Sequence, residues 1–250
     1  MTLRRFIARR GKPAEIFCDN GRNFVAAAKE LGQFLKTNRE SLSDFATQET
    51  IKFVFSPSRA PHFGGIWESG IKSAKYHLKR VMGNSHVTFE ELLTLFTQVE
   101  AILNSRPLCP MSSSPDDLLS LSPGHFLIGR PLTAPPTQAF DNHNENTLQR
   151  YERIEKMYQH FWQRWQREYI SEIQQRTKWR TNKAKLNVGD LVLIHEDHVP
   201  PLCWRLGRVT RLFPGPDGVS RVADLSTTRG CVRRPLVRLC PLPTAEDLQG

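Results

Sequence analysis

Two carboxylates stand out in this 250-residue chain by what surrounds them. Asp19 closes a short apolar run, "AEIFCDNG", whose Asp-Asn-Gly signals a turn. An acid at the end of a buried strand is held rigidly and still faces an opening. Glu68 heads a helical pattern, directly after Gly64 and Gly65, where missing side chains let another backbone approach. Behind it come Lys72, Lys75 and Lys79. At 100° per residue these four positions fall within about 60° of one another. A pair of carboxylates meeting at a sheet edge binds hard divalent cations through oxygen, which favours Mg²⁺ or Mn²⁺. Two such ions are the usual device for in-line attack at a phosphodiester. Lysines on the same face would hold the phosphate backbone. The plainer alternative is a solvated face, in which Glu68 and Lys72 form an i,i+4 pair worth a few tenths of a kcal/mol.

For the two acids to meet, the chain must supply a strand that ends at Asp19, then a helix and a second strand before Glu68. "NFVAAAKELGQFLK" has helical spacing, with Phe24, Ala27, Ala28, Leu31, Phe34 and Leu35 on one face. "TNRESLSDFATQET" is polar and reads as a loop or ragged helical insertion. "IKFVFSPS" is a second β-rich run, stopped by Ser-Pro-Ser. Strand, helix, strand implies a parallel pair joined by a right-handed crossover. On the helix that carries Glu68, the stripe Trp67, Ile71, Ala74 and Leu78 is expected to pack against a sheet. A further apolar-periodic helix runs from Thr88 to about Asn104 and ends before Pro107.

From Arg106 to about Asn146, prolines, serines and turn signals predict a linker crossing the surface, with "GHFLIG" as an apolar island. Asp116 and Asp117 within it read as a helix N-terminus, not a metal pair. Leu148 to about Lys178 is a long amphipathic helix with Tyr151, Ile154, Tyr158, Phe161, Trp165, Tyr169 and Ile173 in one stripe. Aromatics so spaced are packing surface before they are base-stacking platforms. Leu186 to Leu242 holds short β runs separated by turn signals, the pattern of a small all-β barrel of about five strands. Arginines are spread through it, and Arg233 and Arg234 are candidate phosphate contacts.

A net charge of +10 points to a polyanionic partner, most often nucleic acid. Hydrophobic content of 39% is that of an ordinary globular chain. The five cysteines are scattered, with no CxxC pair and no His at zinc spacing, so neither a disulfide framework nor a zinc site is indicated. No apolar run reaches the length of a membrane span. The opening "MTLRRFIARRGK" has the Arg-rich, acid-poor character of a transit peptide. It runs straight into a strand-like segment, however, and reads better as the end of a helix.

These residues carry a resemblance. "FCDNGRNF", "FSPSRAPHFGGIWESGIKSAKYHLK", "EAILNSRPL" and "LSPGHFLIGRPL", in that order, resemble the integrase region of a BEL/Pao-type LTR retrotransposon polyprotein. "VGDLVLIHEDHVPPLCWRLGRVTRLFPGPDGVSRVADLSTTRG" is similar to the small β domain that follows the integrase core in such elements. The resemblance spans Leu3 to Pro243. It implies an α/β, ribonuclease H-like core with a three-acid (DDE) site holding two divalent metals, Mg²⁺ or Mn²⁺, and a reaction sequence of 3′-end processing and strand transfer. By motif, Asp19 matches the second acid and Glu68 the third, both as catalytic residues and metal ligands. Lys72 and Lys75 match positions that contact the DNA end, and Lys79 continues their row. The spacing between the acids, positions 20 to 67, is longer than in retroviral integrases.

The resemblance also sets domain expectations: residues 1–106 as the C-terminal part of a catalytic core, 107–146 a linker, 147–180 a helix, 181–243 an SH3-like barrel and 244–250 a tail. The first Asp of the triad is expected upstream of Asp19, where the only acid is Glu15, on the same strand. The expectation is therefore an N-terminally truncated integrase relative that binds DNA and is inactive alone. Expected partners are element ends and target DNA, chromatin proteins, and further copies of itself within a full integrase; expected location is nuclear, with no membrane association. The alternative is a non-enzymatic chromatin or protein interaction module built on the C-terminal helix and barrel.

Overall fold

The computed structural model describes residues 2–18, 22–37, 51–55, 65–140, 148–180 and 186–244. The chain forms two compact units, Met1–Lys72 and Ser73–Gly250.

In the first unit, α1 (Thr2–Arg10) is the helix expected of the basic opening segment, and it stops at Gly11, whose φ of +80° favours a residue without a side chain. β1 (Glu15–Cys18) leads to α2 (Arg22–Thr37) and then to β2 (Lys52–Phe55). The strands pair in parallel, Glu15 opposite Lys52 through Cys18 opposite Phe55, as strand-helix-strand order predicts. Cys18 is buried, Phe53 and Phe55 stack on one face, and Lys52 Nζ donates to Glu15 Oε1 at 2.8 Å. The polar stretch expected to be an insertion lies mostly outside the described residues. Helix α3 (Gly65–Met82) is continuous, beginning in this unit and ending in the second.

The second unit is organised around α6 (Arg150–Arg180). Helix α4 (Phe89–Ser105) starts with a capping box, Thr88 Oγ1 accepting from the Glu91 amide while the Glu91 carboxylate accepts from the Thr88 amide. Leu95, Val99 and Ile102 of α4 pack on Ile154, Tyr158, Phe161, Trp162 and Trp165 of α6, and Leu78, Val81 and Met82 of α3 join them. The α6 aromatics are thus packing surface; Tyr151, at the helix start, is the exposed member of the stripe.

Here α3 departs from expectation. Its described stripe residues within this unit, Ala74 and Leu78, are half-buried, and Leu78 packs on helices and not on a sheet. Ile71 is exposed. The buried side of the C-terminal half also includes Ser73 and His77, which look polar in sequence but find a partner in Glu168. A polar residue that gains a buried partner is invisible to hydrophobic periodicity.

The proline-rich stretch is anchored at many points. Two-residue strands β3 (Cys109–Pro110) and β4 (Ser120–Leu121) pair antiparallel, and α5 (Pro123–Ile128) follows. Gly124 fits closely there: a Cβ would lie 3.1 Å from the Leu132 side chain and 3.3 Å from the Asn104 carbonyl, so these neighbours would have to give way. Residues 137–140 run along α6, where Gln159 accepts from the Phe140 amide and donates to the Gln138 carbonyl. Asp116 and Asp117 start no helix. The Asp117 carboxylate instead accepts from Ser112 Oγ and the Leu119 amide, closing a turn.

The C-terminal part is an antiparallel five-stranded sheet in the order β8-β7-β6-β5-β9, from β5 (Leu191–Ile194), β6 (Leu206–Pro214), β7 (Ser220–Thr227), β8 (Gly230–Pro235) and β9 (Leu239–Pro241). All four residues of β5 are buried because both of its faces are covered. Leu191 and Leu193 pack with Ile170 and Ile173 of α6, while Val192 and Ile194 pack with Val209, Ala223, Leu225 and Leu239. Period-2 alternation therefore points one set at the helix and the other into the sheet's own concave core.

Candidate nucleic-acid interface

Asp19 lies outside the described residues, as do Gly64 and His62. Glu68 sits in the first turn of α3, exposed. A carboxylate there is favoured by the positive end of the helix. Among the described residues no group of three or more His, Cys, Asp or Glu side chains could hold a metal ion, so Glu68 is the one described member of the expected metal pair. No step through a metal is derived from it.

Lys72, Lys75 and Lys79 are all exposed on α3, and no carboxylate is within ion-pair distance of them among the described residues. Arg80 shares the helix, its guanidinium 3.4 Å from the Tyr76 ring centroid. Three ammonium groups on one helix without counter-charges form a local positive field, suited to an extended anion.

The sheet arginines are differently placed. Arg233 makes a two-pronged contact with Asp224, at 2.7 and 3.0 Å, and its guanidinium lies over the Phe213 ring. Arg234 binds Glu196 at 2.9 Å. Arg205 also approaches Glu196, Arg221 holds Asp217, and Arg238 pairs with Asp197. These bonds hold the Asp224 and Asp217 carboxyls below their ordinary range, through Arg233 and Arg221 respectively. Arg208 is buried and donates to the carbonyls of Asp117, Gly189 and Ser112. Most of the basic residues that looked available in sequence are engaged.

Two clusters escaped sequence reasoning. The Glu168 carboxylate accepts from Ser73 Oγ at 2.6 Å and meets His77 Nε2 at 2.7 Å. Serine contacts the acid and not the imidazole, so the nucleophile-base contact of hydrolytic triads is missing and the cluster ties α3 to α6. Glu168 lies more than 90 residues from Ser73 and His77, so no motif announces the cluster. Beside it, Trp162, Trp165, Tyr169 and Trp204 form an aromatic nest, with Trp162 and Trp204 centroids 4.8 Å apart. Their polar tips are satisfied: Trp162 Nε1 donates to the Val199 carbonyl and Trp204 Nε1 to Ser105 Oγ.

Residues 149–242 match the model of a family of unknown function, DUF5641. The match begins one residue before α6 and ends one residue after β9, so helix and sheet are one recurring unit. No curated protein matches the chain. Among the described residues no helix is long and apolar enough to cross a membrane.

Proposed function

We propose that this chain is a nucleic-acid-binding protein derived from the integrase region of a BEL/Pao-type LTR retrotransposon, with DNA held along α3. The observation that carries the reading is the row Lys72, Lys75 and Lys79, exposed behind Glu68 and without counter-charges among the described residues. The parallel β1-α2-β2 unit supports a partial ribonuclease H-like core, and the doubly covered β5 supports an SH3-like barrel. The catalytic reading assigns Asp19 and Glu68 as two of three metal-binding acids, with Mg²⁺ or Mn²⁺ as the cofactor. Strand transfer then needs a third acid beside these two, and the proposal for the residues at hand is DNA binding without joining. Nuclear location, element ends and target DNA as ligands, and self-association within an integrase assembly belong to the same proposal. Arg233 and Arg234 serve as secondary phosphate contacts, each sharing its guanidinium with an acid.

Binding of the full chain to a fluorescein-labelled DNA duplex, followed by anisotropy across a salt series, tests this. Affinity falls steeply with salt, and Lys72→Ala with Lys75→Ala flattens the slope by about two, near one unit per lost phosphate contact. An unchanged slope refutes the cradle on α3. The engaged sheet arginines favour a second reading, in which α6 and the sheet bind chromatin or another protein; duplex binding that ignores both lysines would promote it.

A further inference from the structure

A second basic feature lies within the Ser73–Gly250 unit, where the loop after α3 faces the first turns of α6 across a cleft of about 540 Å³. Its wall carries Arg150, Arg153, Lys156 and His160 from α6, His86 from the loop, and one acid, Glu91. Glu91 is already engaged: Arg150 Nε and Nη2 bind its two oxygens at 2.7 and 2.9 Å, and the Thr88 amide donates to it. The remaining titratable groups are all basic. Arg153 uses Nε on the Leu148 carbonyl and keeps both terminal nitrogens without a partner among the described residues. Lys156, one turn further on, is only 8% exposed and makes a contact of its own. The positive end of the α6 dipole adds to both. A cleft whose single acid is neutralised and whose other charged groups are cations is built for an oxyanion of more than one atom's breadth.

We propose that this cleft binds a phosphodiester group of nucleic acid, a contact separate from the lysine row. This rests on the nucleic-acid reading above and extends it to a second point of attachment. Val81, in the last turn of α3, lines the cleft, which therefore lies within one turn of Lys79 along the chain.

The same duplex anisotropy on the full chain tests the cleft with Arg153→Gln and, separately, Lys156→Gln. Each variant lowers the salt slope by about one. Arg164→Gln makes the same charge change on an exposed α6 position some three turns away and leaves the slope intact. Arg153 is exposed, so its variant reports even where the buried Lys156 change prevents folding. If both cleft variants match wild type while the Lys72 and Lys75 variant flattens the slope, the cleft proposal falls and the α3 reading stands. If the cleft variants flatten it and the lysine variant does not, the cleft stands and the α3 cradle falls. A separate titration with inorganic phosphate, read by amide shifts, distinguishes the source. Shifts at His86 and Arg153 without any duplex binding make the cleft a small-anion site and overturn the nucleic-acid assignment.

Discussion

Replacing Arg208 by Met removes a guanidinium while keeping most of the stem that packs beside it. Arg208 is 4% exposed and reaches three carbonyls, making two bonds to Asp117 O (2.6 and 3.1 Å) and one each to Gly189 O and Ser112 O. Asp117 is half-buried, so its carbonyl bears much of the cost of an unmade bond, about 1–3 kcal/mol. Ser112 and Gly189 are exposed, so water replaces the guanidinium there and only the modest net value of each bond is lost. The expected destabilisation is about 2–4 kcal/mol. Arg208→Lys retains charge but presents three donors from one point, which reach fewer of the carbonyls, and falls between wild type and Met. Urea unfolding at constant m-value measures both. Because Arg208 ties the Ser112–Asp117 turn to β6, exchange of the Leu108 and Met111 amides, which bond across β3 and β4, accelerates first. The Leu242 amide, bonded to Leu191 O in the sheet core, keeps its protection relative to global stability. A loss under about 1 kcal/mol in the Met variant, or equal acceleration at all three amides, refutes the tether.

Two further outcomes follow from the same geometry. Trp162 is 1% exposed with its indole on the Val199 carbonyl, so Trp162→Ala costs about 3–5 kcal/mol and Trp162→Phe about 1–3 kcal/mol, both read by denaturation midpoints. Arg150 and the Thr88 amide draw the Glu91 carboxyl from its ordinary 4.5 down to about 2, so the ionised form is the one stabilised by folding. The stability difference between wild type and Glu91→Gln is therefore full above pH 4.5, shrinks as the pH falls towards 2, and is followed by thermal melts across that range.

Local signals made much of the fold legible. The run ending at Cys18, the stop at Ser56-Pro57 and the patterned helix between them gave a parallel pair, because period and turn chemistry are local. Thr88 and Glu91 carried the start of α4 in their spacing. What was illegible depends on partners far along the chain. Ser73 and His77 look solvated until Glu168 arrives from α6. The prolines of residues 107–140 signal irregular backbone, and irregular backbone is not the same as a free linker: Arg208 and Gln159 supply the bonds that hold it down. The acids of the candidate site illustrate the same limit. Glu68 is placed by its helix, whereas Asp19 lies outside the described residues.

Charge, finally, has to be located before it can be interpreted. Residues 186–244 contain eight arginines against five acids, and sequence alone makes this sheet look like the stronger basic surface. Pairing reverses the ranking. Arg205, Arg221, Arg233, Arg234 and Arg238 each face a carboxylate, and Arg208 faces carbonyls. A phosphate approaching Arg233 also approaches Asp224, and the repulsion from that acid offsets part of the attraction. Helix α3 has one acid, at its start, and four cations beyond it, none of which shares a carboxylate among the described residues. At equal distance an uncompensated lysine contributes a full charge to the surface potential, and an ion-paired arginine contributes little more than a dipole. In the proposed nucleic-acid reading the excess of +10 would therefore act chiefly through α3 and the cleft, although the sheet holds more basic residues.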